Sequence, residues 1–168
     1  ADIREYEKLE ETESLELPNE MRVKMEDEVY KCFKNAGFFT FRLKKYPGQS
    51  NPIEFLHEQE SLYYGQVRTT EDGKKVKEGK GYLVDEKKHF YSGYFQRGLL
   101  NGPGVTVIPK QNLFKGMWTE NLMNGFGYYT SGDSLYYHGD WVKSLQEGYG
   151  EEKWPDQSYY KGHFKHGM

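Results

Sequence analysis

Cysteine is nearly absent from this 168-residue chain: Cys32 stands alone. No internal disulfide can form, and a reducing, intracellular setting is expected. Long apolar runs are missing as well. Nothing approaches the ~18 residues of a membrane-spanning helix, and the first residues do not read as a secretory leader. An excess of one charge sign is also lacking, since 23 Lys and Arg against 26 Asp and Glu give a net of −3. That balance argues against nucleic acid as a partner. The charge is unevenly placed, however. Residues 1–30 hold 11 acids and 4 bases, a net of −7, which leaves +4 on the rest.

The residues of enzyme chemistry do not assemble either. His57-Glu58 opens a zinc-protease pattern only if position 61 is His, and Ser61 is there. Gly79-Lys80-Gly81 and Gly102-Pro103-Gly104 lack the further glycine, or the Lys-Ser/Thr, that a phosphate-binding loop needs. The five His are scattered apart from His163 and His166, and Cys32 has no His near it in sequence. No catalytic residue, metal site or cofactor is expected.

Aromatics and glycine are what the chain has in quantity: 15 Tyr, 10 Phe, 3 Trp and 19 Gly beside a mean hydropathy of −0.95. Such a composition suits a thin single-layer sheet with an interior built from rings. The rings and glycines are ordered. Aromatic-x-Gly-x-aromatic or its near equivalent occurs at Tyr91-Ser92-Gly93-Tyr94-Phe95, Phe114-Lys115-Gly116-Met117-Trp118, Tyr137-His138-Gly139-Asp140-Trp141 and Tyr160-Lys161-Gly162-His163-Phe164. The central glycines are 23 residues apart each time (116 − 93, 139 − 116, 162 − 139). Nine residues after the first three come Gly102-Pro103-Gly104, Gly125-Phe126-Gly127 and Gly148-Tyr149-Gly150. A fixed period of this length marks a repeat architecture.

A degraded earlier copy runs from Tyr63-Tyr64-Gly65 to Gly79-Lys80-Gly81, with Val67 in place of the second aromatic. The interval from Gly65 to Gly93 is 28, so a five-residue insertion is expected as a longer loop in the polar run Thr69–Glu78. The last copy reaches Met168 before its second signature, so further repeats or a catalytic domain beyond this point are expectations.

Residues two apart share one face of a strand, so each signature points its rings and its glycine the same way. Asn101-Gly102, Asn124-Gly125 and Glu147-Gly148 predict the hairpin turn within each repeat. Ile108-Pro109-Lys110-Gln111, Gly132-Asp133-Ser134 and Pro155-Asp156-Gln157 predict the turns between repeats.

Over roughly residues 62–168 this pattern resembles the MORN (membrane occupation and recognition nexus) repeat family. It departs from the family pattern at Val67, at the insertion and at Phe114. The resemblance implies a mainly β fold, an elongated twisted antiparallel meander of period-23 hairpins. It also implies a non-enzymatic scaffold for partner proteins in a cytoskeletal, axonemal or ciliary assembly. Two alternatives follow from the same family: the accessory region of a lipid kinase or lysine methyltransferase, and a module for anionic phospholipid, which the net charge disfavours.

Before the array, residues 1–37 read as an acidic leader and an amphipathic helix, and 38–61 as a connector with a short strand. Ile3, Tyr6 and Leu9 recur with helical spacing. Met21, Met25, Val29 and Cys32 with Phe33, at i, i+4, i+8 and i+11, predict one helix from Met21 to Lys34 with Cys32 on its buried side, N-capped by Asn19, ended at Gly37 and capping the array.

Two groups of site residues follow. Tyr91, Phe95, Phe114, Trp118, Tyr137, Trp141, Tyr160 and Phe164 form a ring-lined face, either sheet core or a surface partly open to a protein partner. Lys161, His163 and Lys165 alternate onto the other side of the last strand, as a solvated edge or as a contact for an anionic surface. Self-association through the ring face or through the C-terminal strand edge is a further expectation.

Overall fold

Pairs of residues with positive φ, 23 positions apart, set the architecture. They are Arg97-Gly98 (52° and 83°), Glu120-Asn121 (48° and 69°), Lys143-Ser144 (49° and 66°) and His166-Gly167 (53° and 85°). Positive φ at both central residues is the signature of the tight hairpin turn whose twist matches that of its strands. The computed structural model describes residues 6–8, 15–36, 41–43, 46–110, 112–132 and 135–168.

Ten strands form one antiparallel meander: β3 (Ile53–Glu58), β4 (Ser61–Thr69), β5 (Lys75–Val84), β6 (Phe90–Gln96), β7 (Leu99–Ile108), β8 (Asn112–Thr119), β9 (Leu122–Thr130), β10 (Tyr136–Val142), β11 (Leu145–Lys153) and β12 (Tyr159–Phe164). Each strand pairs with its neighbours in sequence, and β3 and β12 are the edges. The sheet therefore begins inside the expected connector. The five-residue insertion is the loop Thr70–Lys74, closed by the Thr70 N–H donating to the Lys74 carbonyl at 2.8 Å.

The hairpin turns sit four residues before the positions that the Asn-Gly pairs predict. Asn101-Gly102, Asn124-Gly125 and Glu147-Gly148 lie inside β7, β9 and β11. Their glycines do have positive φ (104°, 109° and 72°), but they spend it on a bulge. Gly93 faces Gly104 while Phe95 faces Leu100, so Asn101 to Pro103 stand against Tyr94 alone. The same shift recurs opposite Gly116/Trp118 and Gly139/Trp141. Bulges of this kind bend the strand and sharpen its twist.

The turns also tie each repeat to the one before. The N–H groups of Gly98, Asn121, Ser144 and Gly167 donate to the carbonyls of Lys77, Leu100, Met123 and Gln146, at 2.8 to 3.0 Å and always 21 residues back. In return the Leu100 N–H donates to Asn121 Oδ1 (2.7 Å) and the Met123 N–H to Ser144 Oγ (3.1 Å). Stability is thereby passed between nearest neighbours, as in other repeat arrays.

The expected single helix is two. α1 (Asn19–Lys24) and α2 (Asp27–Ala36) are separated by Met25, whose ψ of 143° is extended. The acidic run Glu26-Asp27-Glu28 restarts the helix, acids being favourable in a first turn. Pro18 rather than Asn19 is the N-cap residue, its carbonyl accepting from Met21 and Arg22. Gly37 lies outside the described residues. The stripe survives the break: Met21, Met25, Val29 and Phe33 are all buried.

These helices do not cap an end of the array. They lie over one face of β4–β8, on a floor of Leu62, Tyr82, Val84, Phe90, Val105, Val107 and Leu113. Phe33 meets the Phe90 ring edge-on at 4.6 Å, the Tyr82 hydroxyl donates to the Leu15 carbonyl, and Glu28 accepts from the Lys110 N–H. The helical spacing of Ile3, Tyr6 and Leu9 is also overturned, because β1 (Tyr6–Lys8) pairs antiparallel with β2 (Phe41–Leu43). Ile3 and Leu9 lie outside the described residues.

Candidate functional site

The sheet has two faces, and its signature rings are closed on one of them. Phe95, Trp118, Tyr137, Trp141 and Phe164 are buried, Tyr91 and Phe114 are half-buried, and Tyr160 is exposed. Tyr137 stands edge-on to Trp141 at 4.9 Å and to Phe164 of the next repeat at 5.1 Å, as Tyr63 does to Phe95 at 5.3 Å. The glycines are their floor, since a Cβ on Gly150 would come within 2.3 Å of the Tyr137 hydroxyl. That hydroxyl donates to the Asp140 carbonyl at 2.8 Å, and Tyr63 and Tyr160 do the same to Gln66 and His163. Trp118 Nε1 donates to the Gly104 carbonyl at 3.0 Å. Burial pushes the Tyr137 phenol up to about 12, with Asp140 and Glu152 adding to the shift. Most of these rings are thus occupied in holding repeats together, which leaves little of this face for a partner.

Among the described residues, the opposite face is covered by the helices over β4–β8 and bare over β9–β12. Its rows come from the wild-card positions of the repeat signatures and the residues that flank them. Phe126 and Tyr128 on β9, Tyr136 and His138 on β10, Tyr149 on β11, and Tyr159, Lys161 and His163 on β12 alternate with the ring-face residues. The cross-strand register makes one rung of Tyr128, His138, Glu151 and Lys161. A second rung pairs Tyr149 with His163. Phe126 and His138 meet at 4.7 Å, Tyr128 and Tyr136 at 5.5 Å, and Tyr149 and His163 at 5.7 Å. Phe126 and Tyr149 nevertheless remain 55% and 51% exposed. Burial, then the Glu151 carboxylate, raises the Tyr136 phenol.

Of the expected basic residues, Lys161 and His163 are exposed on this face, and Lys165 lies just past the end of β12. Glu151 opposite Lys161 and the exposed Asp140 on β10 offset their charge. Sequence reasoning missed Phe126, Tyr128, Tyr136, His138 and Tyr149. The signal was available in the middle residue of each Gly-x-Gly, which is Lys80 and Pro103 in the covered copies but Phe126 and Tyr149 in the bare ones.

Among the described residues no three His, Cys, Asp or Glu side chains come together to hold a metal ion. Burial raises the Cys32 thiol, away from thiolate reactivity. No helix among the described residues is long and apolar enough to cross a membrane.

The MORN repeat family model matches residues 91–112, 114–136 and 137–159. All three matches open on the leading aromatic of a signature, Tyr91, Phe114 and Tyr137. The strands β4 and β5 precede the matched span and continue the same pattern of pairing. A search of curated proteins found no match.

Proposed function

We propose that this chain, whose residues 91–159 match the MORN repeat family model, is a non-enzymatic scaffold holding a partner protein on the bare aromatic face of β9–β12. MORN repeats are in general modules of protein or membrane interaction. The observation that supports a protein partner is the row Phe126, Tyr128, Tyr136, His138 and Tyr149, beside a stretch of the same face already covered by helices. Rings with polar tips are the side chains that carry binding energy in protein interfaces. The cytoskeletal or axonemal setting implied by the family is part of this proposal.

Lipid is the weaker reading on charge. Each Lys or Arg close to an anionic membrane contributes about 1 kcal/mol, and acids on the same face cancel the lysines.

Affinity capture from the native cell type tests the reading. The Phe126→Asp/Tyr149→Asp double variant should lose the partner while melting within a few degrees of the parent, both side chains being exposed. Val23→Asp, in an exposed position on α1 away from this surface, should retain it. Equal capture by all three proteins, or flotation with anionic liposomes that the double variant abolishes, would overturn it.

A further inference from the structure

We propose that the bare face of β9–β12 receives an amphipathic α-helix of the partner, laid across the strands as a continuation of α2, with an apolar residue at every fourth position. The inference rests on the interaction surface proposed above and adds the class of its occupant.

The interface that it continues is already in the fold. Over β5–β7 the sheet face is covered by α2, which presents Val29 and Phe33, with Met25 one step before them, at four-residue intervals. Tyr128 packs against that helix-covered cluster, and its ring also meets Tyr136 at 5.5 Å and His138 at 6.0 Å. The ring surface therefore continues from the covered half onto β9 and β10, with the Glu151–Lys161 pair beyond it.

The backbone decides between a helix and an extended segment. Interior strands of a sheet spend their N–H and C=O groups on each other, so the face offers side chains alone. An extended segment laid there would bury its own backbone groups unpaired, whereas a helix satisfies them internally. The dimensions agree. Four strands about 4.8 Å apart span about 14 Å, and a ten-residue helix rises about 15 Å. The native helix α2 has 10 residues.

The probe is a helix-stabilised peptide of the Pro18–Ala36 sequence, titrated into the isotope-labelled full chain and followed by amide chemical shifts. Saturable changes at Tyr128, His138, Tyr149 and His163 are expected. A peptide carrying Met25→Asp and Val29→Asp, and the Phe126→Asp/Tyr149→Asp chain, should each bind at least tenfold more weakly. Absence of a saturable change overturns the proposal. So do changes confined to the β12 edge amides, which would mean strand pairing, and changes confined to β4–β8, which would mean exchange with the native helices. If the double variant loses its cellular partner but no helical peptide binds, the surface stands and the helix falls. If the double variant keeps its partner, the surface itself is wrong.

Discussion

A methyl group at Gly150 would lie 2.3 Å from the Tyr137 hydroxyl and 2.6 Å from two of its ring carbons, in a place where the ring cannot withdraw. Gly98, with φ of 83° and open space around its would-be Cβ, depends on its conformation instead. The two kinds of glycine should respond differently to alanine. Gly150→Ala is expected to cost about 1–3 kcal/mol through overpacking, and Tyr137→Ala should relieve much of that clash. Gly98→Ala should cost about 1 kcal/mol with no partner residue to rescue it. Urea denaturation of the three singles and the Gly150/Tyr137 double measures both. The Tyr137 phenol adds a pH term. Its folded value of about 12 lies above the unfolded one, so the folded state keeps a proton that the unfolded state loses. The stabilisation is complete below about pH 10 and is lost as pH rises toward 12. Thermal unfolding followed from pH 8 to 12 should show that decline, and Tyr137→Phe should make it shallower without abolishing it, because the Tyr63, Tyr82 and Tyr91 phenols are raised by burial as well.

At the scale of elements, the helices show what spacing reveals and what it hides. The four-residue interval of Met21, Met25, Val29 and Phe33 identifies the buried stripe, and all four are buried. The break at Met25 was not legible, because a stripe can pass from one helix to the next while its residues stay on the same floor. The destination was also hidden, since an apolar stripe does not say which apolar surface it covers. Phe33 is the element's deepest ring, against Phe90 and Tyr82. Phe33→Ala should cost about 3–5 kcal/mol, and it should speed exchange of the β5–β7 amides while those of β10–β12 are little changed. The hairpins carry a matching lesson. Asn-Gly declares that positive φ is needed, but a bulge and a turn need it alike. The turns themselves went to Arg97-Gly98, Glu120-Asn121 and Lys143-Ser144, where two of the three pairs lack glycine altogether.

For the molecule as a whole, the 23-residue period was enough to foresee the antiparallel meander from β4 to β12, because each repeat contacts its neighbours through the same bonds, but not β3, which lies before the first signature. The candidate site was less legible, for a reason built into the repeat. The recurring rings that draw attention are those that hold the sheet together, and recurrence selects for packing. Residues free to vary between copies, Phe126 where Pro103 stands and Tyr149 where Lys80 stands, face the other way and distinguish the bare half from the covered one. A face that changes along an otherwise constant array is where specificity for a partner has room to reside. The most direct measurement is photo-cross-linking in the native cell, with benzoylphenylalanine placed at Tyr149 in one protein and at the exposed Val23 of α1 in another. A discrete protein adduct from position 149, absent from position 23, is the predicted result. Adducts of equal yield from both positions, or none from position 149 while the partner still co-purifies, would contradict it.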